Sequence, residues 1–245
     1  FDGYRIVHIS DIHSRSFSGR QQSLQKAVDK INSLTPDMIA VTGDLMTMAP
    51  GELDAIEDQV KGLKAADGVF SVLGNHDYGI YAHEEDNPEH MTKDSLKSRL
   101  IAKERLLGWE LLLNENRIIC RDSDSMAVIG VENTSASTHF PSKGNLRKAS
   151  EGTEGAFRIL LSHDPTHWDM EVIGQDYPLT LSGHTHAMQF SLFGWSPSRY
   201  IFKQYRGHYE KDGQHLYVNT GLGETIIPIR IGTPPEITLI ILKSK

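Results

Sequence analysis

The sequence has only one cysteine, Cys120, and it has no apolar run long enough to cross a membrane. A single cysteine excludes an internal disulfide. Cys120 lies at the end of the predicted strand 117–120, where it is expected to be a small buried residue. Cysteine usage therefore gives no indication of the compartment.

Positive charge is also scarce. The 245 residues carry 25 Lys and Arg against 32 Asp and Glu, which gives a net charge of -7. Because there is no general basic field, long nucleic acid is not expected as a partner. A phosphate-containing substrate is still allowed, because bound cations would reverse the local charge. Length and composition are typical of one globular α/β domain, predicted to span residues 1–245.

Short apolar runs alternate with amphipathic stretches along the chain. A strand, helix, strand order predicts right-handed crossovers and therefore a parallel sheet. A hairpin is predicted over 109–120, with 114–116 as its turn. The predicted strands are 5–10, 38–42, 69–73, 126–131, 157–161, 178–182, 216–220 and 237–242, and the predicted helices are 21–34, 53–63 and 96–107.

Polar side chains that suit metal binding follow five of these strands. The carboxyl ends of parallel strands meet at one edge of an open sheet, which is where ligands bind. Asp11 and His13 are two residues apart, so an extended backbone would project both to the same side. Gly74 is expected at a sharp turn of the backbone, because a larger side chain would clash there. The whole set is Asp11, His13, Asp44, Asn75, His76, His163, His184 and His186.

Five independent turn or capping motifs are the alternative explanation of these residues. That alternative does not explain why metal-type side chains recur at successive strand ends with matching spacing. His184 and His186, for example, repeat the two-residue spacing of Asp11 and His13. The pattern therefore favours one shared site.

In chain order the motifs are Asp11-x-His13, Gly43-Asp44, Gly74-Asn75-His76-Asp77, His163 and Gly183-His184-Thr185-His186. This set resembles the calcineurin-like metallophosphoesterase superfamily. The resemblance implies a four-layer α/β/β/α sandwich with a dinuclear metal site at the C-terminal ends of the strands. The tail, with 216–223 and Pro228-Ile229-Arg230, is similar to a bacterial, often membrane-associated branch, some members of which cleave lipid-linked or nucleotide-sugar diphosphates.

The resemblance implies two divalent metal ions, and mixed imidazole, carboxylate and amide ligands suit Mn, Fe, Zn, Co or Ni. Two such ions clamp the attacking and leaving oxygens of an in-line displacement, with a bridging hydroxide as nucleophile. The resemblance assigns no metal to His76 and implies that it protonates the leaving oxygen. Asp77 is expected either to orient His76 or to close the turn 74–77. The ligands implied for the first ion are Asp11, His13 and His186, those for the second are Asn75, His163 and His184, and Asp44 is the implied bridge.

The predicted function is metal-dependent hydrolysis of a phosphodiester or pyrophosphate bond in a small or lipid-linked substrate. A phosphomonoesterase or nuclease of the same fold is one alternative, and a non-catalytic metal-binding scaffold is another. Gly43-Asp44 is followed by Leu45-Met46-Thr47, without the Asp and Arg of protein serine/threonine phosphatases, which argues against a protein phosphatase.

The aromatic-rich stretch 187–206 follows the last of these motifs. It is either a loop that covers the core or an apolar wall beside the site. The second interpretation suggests a peripheral membrane contact. Membrane association through a segment upstream of Phe1 is a further expectation, and the sequence leaves the compartment and the oligomeric state open.

Overall fold

The computed structural model describes residues 1–225 and 227–244, which form two β-sheets with helices on their outer faces. None of the helices in these ranges is long and apolar enough to cross a bilayer. The strands are β1 (Arg5–Ile9), β2 (Met38–Val41), β3 (Val69–Ser71), β4 (Glu110–Leu111), β5 (Glu115–Arg121), β6 (Asp124–Gly130), β7 (Phe157–Leu161), β8 (Leu179–Ser182), β9 (Gly207–Lys211), β10 (Gln214–Val218) and β11 (Thr238–Ile241). The α-helices are α1 (Gln21–Ser33), α2 (Glu57–Lys61), α3 (Lys93–Leu106) and α4 (Leu146–Ala149). Short 3₁₀ helices span Ser14–Phe17, Pro50–Ala55, His76–Tyr78, Glu84–Asp86, His186–Gln189 and Pro197–Tyr200, and a π-helical turn spans Trp168–Val172.

The first sheet has the strand order β11-β1-β2-β3-β4, with β1 to β4 parallel and β11 antiparallel to β1. All four residues of β2 are buried, because helices cover one face of this sheet and the second sheet covers the other. Leu24 and Val28 of α1 and Leu100 of α3 pack on the outer face, together with Ile39 of β2.

The second sheet has the order β5-β6-β7-β8-β10-β9, with a parallel centre and antiparallel edges. Its inner face meets the first sheet, where Met38 and Phe70 pack with Val128 and Ile159. Trp168 and its neighbours cover the outer face. The predicted four-layer α/β/β/α sandwich is confirmed.

The predicted hairpin over 109–120 is wrong. β4 pairs with β3 in the first sheet, whereas β5 pairs with β6 in the second. The chain crosses between the sheets at Leu112, which is buried between them, and turns at Asn114, whose φ is 58°. β5 instead forms a hairpin with β6. Cys120 is exposed, contrary to prediction, because β5 is an edge strand.

Candidate metal centre

The structure brings the eight predicted site residues to one edge of the sandwich, at the C-terminal ends of strands from both sheets. β1, β2 and β3 supply residues from one sheet, and β7 and β8 supply them from the other. His76 and His184 are partly exposed and the other six are buried: Asp11, His13, Asp44, Asn75, His163 and His186. The edge therefore forms a pocket lined by carboxylate, amide and imidazole groups.

One group of donor atoms gathers around His186. Its Nε2 lies 3.1 Å from Nε2 of His13 and 3.1 Å from Oδ1 of Asp11. His13 Nε2 lies 3.7 Å from Oδ2 of Asp44. Donor atoms of Asp11, His13 and His186 all lie within 4.8 Å of one another, which is close enough for all three to bind one cation.

A second group gathers around Asn75. Its Oδ1 lies 2.8 Å from Nδ1 of His184 and 3.1 Å from Nε2 of His163. Nε2 of His163 lies 3.3 Å from Oδ2 of Asp44. The same carboxylate oxygen of Asp44 therefore faces both groups, which is where a bridging ligand would lie.

Hydrogen bonds fix which nitrogens of the histidines face the centre. His163 Nδ1 lies 2.6 Å from the carbonyl oxygen of Thr42, which can only accept, so Nδ1 carries a proton and Nε2 is the nitrogen that faces the site. His184 Nε2 faces Oδ2 of Asp164 at 3.6 Å, and its Nδ1 faces Asn75. Such outer partners orient imidazole ligands toward a metal.

Asp77 closes its own turn, which was one of its predicted roles, and also binds the loop that carries Asp44. Its carboxylate accepts the main-chain N–H groups of Asp44 and Gly74 at 2.8 Å and of Met46 at 3.1 Å. The Asp44 carboxylate lies so close to Gly74 that a Cβ there would collide with it. The two loops are therefore locked together at the centre of the site.

The backbone at the site is strained. Asp11, His13 and Asp44 have φ of 51°, 45° and 55°, and His184 and His186 have φ of 73° and 48°. The left-handed region is unfavourable for such residues and is concentrated at functional sites. The predicted extended geometry is therefore wrong, although the side chains do converge. Bonds between loops, such as His13 N–H to Asp44 O at 3.0 Å, hold this conformation.

Buried charges are balanced within the pocket. Burial alone would raise the pKa of Asp11 and Asp44, but His186 beside Asp11 and His163 beside Asp44 hold both below their usual values. Burial lowers the pKa of His13, whereas Asp44 outweighs burial and raises the pKa of His163 to about 10. A cation bound by His163 must therefore displace a proton.

His76 is held beside these donor groups by its own contacts. Its Nδ1 lies 2.7 Å from the carbonyl oxygen of Thr47 and so donates to it. Its ring packs on Tyr81, with centroids 4.1 Å apart, and meets the His13 ring edge-on at 4.7 Å. Nε2 therefore remains available to give or take a proton.

Several residues around the centre had no clear signal in the sequence. Arg230 Nη2 lies 3.2 Å from Nδ1 of His186 and donates to the carbonyls of Thr220 and Gly221. In the sequence, this arginine was indicated only by the similarity of the tail to the bacterial branch. Asn75 Nδ2 donates to Tyr81 Oη at 3.1 Å, and Phe140 and Phe202 pack edge-on against the His184 ring. Phe202 belongs to the aromatic-rich stretch 187–206 noted in the sequence, whereas Tyr81 and Phe140 lie in polar loops that gave no periodic pattern.

A two-sheet sandwich with imidazoles and carboxylates gathered at its strand ends is the architecture of a metal-dependent hydrolase. The sequence profile of the calcineurin-like phosphoesterases matches residues 4–188. The metallophosphoesterase YkuE of Bacillus subtilis is 31% identical over 100% of this chain and 80% of its own length. The chain therefore belongs to the calcineurin-like phosphoesterase family, as predicted.

Two further comparisons give another relative and a solved structure of similar fold. UDP-2,3-diacylglucosamine pyrophosphatase LpxG of Chlamydia trachomatis is 28% identical over 97% of this chain and 83% of its own length. The solved structure of sulfate thiohydrolase SoxB from Thermus thermophilus has a TM-score of 0.57, covering 99% of this chain and 57% of that one. At 13% identity, SoxB supports the fold alone. Family and site together make this chain a metal-dependent phosphoesterase, and its His and Asp clusters could bind the divalent metals that the family uses.

Proposed function

We propose that the pocket binds two divalent cations, of Mn, Fe, Zn, Co or Ni, and that residues 1–245 act as one catalytic domain. The mixed nitrogen and oxygen donors suit these metals. Asp44 Oδ2 faces a histidine nitrogen on each side, at 3.7 Å and 3.3 Å, which supports its role as the shared ligand. When bound, such cations supply Lewis acidity and activate water. The proposed ligands are Asp11, His13 and His186 for one cation and Asn75, His163 and His184 for the other.

His76 is the proposed proton donor to the leaving oxygen. Its Nδ1–H is bound to Thr47 O, so a proton on Nε2 is the one that can be transferred. Its main-chain N–H donates to Asp44 Oδ1 at 2.8 Å, which leaves Oδ2 for the cation side. A positioned acid of this kind contributes roughly 10²–10⁴-fold to the rate.

The proposed substrate is a phosphodiester or pyrophosphate that carries a lipid chain. The observation that carries this proposal is an apolar cavity of about 480 Å³ that opens beside His184 and His186. A free phosphate or a short polar ester would leave this apolar wall in water, whereas a hydrocarbon chain would bury it. The other lining residues are Thr185, Met188, Gln189, Phe190, Thr225, Ile227, Ile229 and Ile231.

The surface around this cavity supports access from a membrane. Phe193 is 100% exposed at a turn, and Tyr200 and Ile201 are 76% and 65% exposed. Within the net charge of -7, the segment 187–206 has no acidic residue and contains Arg199, Lys203 and Arg206. Aromatic, aliphatic and basic side chains together favour the interface of an anionic bilayer.

The name of LpxG describes a pyrophosphatase whose substrate bears two acyl groups, and its alignment covers nearly all of this chain. That agreement supports a pyrophosphate attached to a lipid as the substrate class. We propose that the membrane contact is peripheral and runs through the apolar surface.

The experiment compares three substrates with metal-loaded protein. They are a diacylated sugar-nucleotide diphosphate in anionic vesicles, soluble bis(4-nitrophenyl) phosphate and 4-nitrophenyl phosphate. The proposal predicts the highest kcat/KM for the lipid diphosphate and the lowest for the monoester. A preference for the monoester would identify a phosphomonoesterase and overturn the substrate class.

Variants of the apolar surface make the test specific. I229S and F193S should each lower kcat/KM for the vesicle-bound substrate while the soluble diester is still cleaved. Leu106 is also apolar and 76% exposed, but it lies on α3, so L106S is the matched control. An equal loss in L106S, or no loss in the other two, would refute access through this surface.

A further inference from the structure

A second group of possible metal ligands lies on the β9–β10 hairpin, apart from the catalytic pocket. His208 Nε2 is 2.9 Å from His215 Nδ1, and that nitrogen is 4.0 Å from Oε2 of Glu210. The donor atoms of all three residues lie within 4.8 Å of one another.

The hairpin register accounts for this convergence. Glu210 is directly opposite His215, and His208 is opposite Tyr217. His208 and Glu210 are alternate residues of β9, so they share a face, and His215 faces them across the ladder. The two imidazole rings stack, with centroids 5.1 Å apart and an interplanar angle of 24°. The backbone pairing therefore places the three side chains on one face of the hairpin.

The spacing matches the one found at the catalytic centre. There the facing nitrogen pairs, His13 with His186 and His163 with His184, are 3.1 Å and 3.2 Å apart. Ligand atoms at the corners of a tetrahedron around Zn²⁺ are separated by about 3.3 Å, given Zn–N distances near 2.0–2.1 Å. The pair on the hairpin falls near the same separation, and the carboxylate supplies a third donor.

The space beside the two histidines leaves room for a cation and water. A cavity of about 530 Å³ opens between the hairpin and β11, and His208, His215, Tyr217 and Ile240 contribute to its lining. His215 lies near the start of β10, whereas the catalytic pocket lies beyond the end of that strand. The two groups of ligands are therefore separate.

We propose that His208, Glu210 and His215 bind one divalent transition cation of the Zn²⁺ class, with the remaining coordination positions open to water. Two imidazoles and a carboxylate are a donor set that Zn²⁺ accepts. In the described part of the chain, β9 is the edge strand of its sheet and pairs with β10, so the cation would cross-link the edge to the sheet. It would thereby stabilise the hairpin that directly follows the segment 187–206.

The test counts zinc in protein whose catalytic centre is intact. Wild type, H208Q, H215Q and the control H83Q are equilibrated with Zn²⁺, freed of loose metal by gel filtration and analysed by mass spectrometry. His83 is an exposed histidine in a loop and belongs to none of the ligand groups found in the described residues, so it controls for the loss of any surface imidazole. We expect H208Q and H215Q to hold one Zn²⁺ fewer per chain than wild type and H83Q.

A second readout separates this site from the catalytic one. Added Zn²⁺ should raise the Tm of wild type and H83Q more than that of H208Q or H215Q, while all four hydrolyse bis(4-nitrophenyl) phosphate at the same rate. Equal zinc content in all four proteins would overturn the proposal and would show that the two imidazoles only share a hydrogen bond. Loss of hydrolysis in H208Q or H215Q would contradict the independence of the two sites.

Discussion

The main-chain N–H of His76 donates to Oδ1 of Asp44 at 2.8 Å. The residue proposed to deliver a proton therefore also fixes the carboxylate proposed to lie between two cations. Because one short turn positions both groups, the acid and the metal ligands are set by the same backbone. Changes to this turn should disturb metal binding and proton transfer in ways that can be measured separately.

Replacing His76 should lower turnover without releasing metal. H76A is expected to reduce kcat roughly 10²–10⁴-fold, as for loss of a general acid, with metal content unchanged. The loss should be smaller for a 4-nitrophenolate leaving group than for an alkoxide, because the better leaving group needs less protonation. Metal analysis and kinetics on the two substrates check this. If H76A also loses metal, His76 is a ligand and not the acid.

Replacing Asp77 should weaken metal binding although Asp77 is not a proposed ligand. D77N puts an amide where a carboxylate now accepts three main-chain N–H groups, so at least one donor near Asp44 loses its partner. We expect a loss of roughly 10–100-fold in metal affinity or activity, as for other outer partners of metal sites. Titration with Mn²⁺ measures it. Asp58 is exposed on α2, and D58N should leave the affinity as in wild type.

A methyl group at Gly74 should be tolerated much less than one at Gly51. A Cβ at Gly74 would meet the backbone and carboxylate of Asp44, whereas one at Gly51 would meet nothing within 4 Å. G74A is expected to lower the free energy of unfolding by about 1–3 kcal/mol and to impair metal binding. Urea denaturation of both variants provides the comparison. Equal stability of G74A and G51A would mean that the loops that carry Asp44 and Gly74 can move apart to accept a methyl group.

The titration of Glu104 should lower the free energy of unfolding as pH rises. This residue is buried in α3, where it accepts a hydrogen bond from Ser71 at 2.7 Å. Burial, reinforced by Asp77, raises its pKa from 4.5 to about 8. The folded state therefore keeps this proton where the unfolded state has lost it, so stability falls from about pH 4.5 to pH 8.

E104Q removes this titration and should flatten the decline in unfolding free energy between pH 5 and pH 9 relative to wild type. Denaturation curves at several pH values measure the difference. The exposed Glu151 gives the control E151Q, which should follow wild type. A parallel decline in E104Q and wild type would exclude Glu104 as its source.

Much of the fold followed from the sequence because buried parallel strands leave a strong local pattern. The apolar runs predicted at 5–10 and 157–161 correspond to β1 and β7, and the periodic stretch 21–34 to α1. The hairpin over 109–120 failed because local alternation does not reveal which of two sheets a strand joins. The exposure of Cys120 could not be predicted for the same reason, since edge strands are defined by their neighbours in space.

The site was predictable in composition but not in geometry. Metal-type side chains after successive strands identified Asp11 and His13, yet the left-handed backbone that aims them arises from bonds between loops. The apolar cavity joins Phe190 to Ile231, which pair in an isolated bridge although they are far apart in the sequence. Contacts of this kind depend on the finished fold and leave no periodic signal.

The anomalous scattering of a crystal grown with Mn²⁺ would locate the cations of the proposed metal centre directly. Two peaks are expected on either side of Asp44, one among Asp11, His13 and His186 and the other among Asn75, His163 and His184. A single peak, or peaks that Asp44 does not touch, would contradict the proposed metal centre.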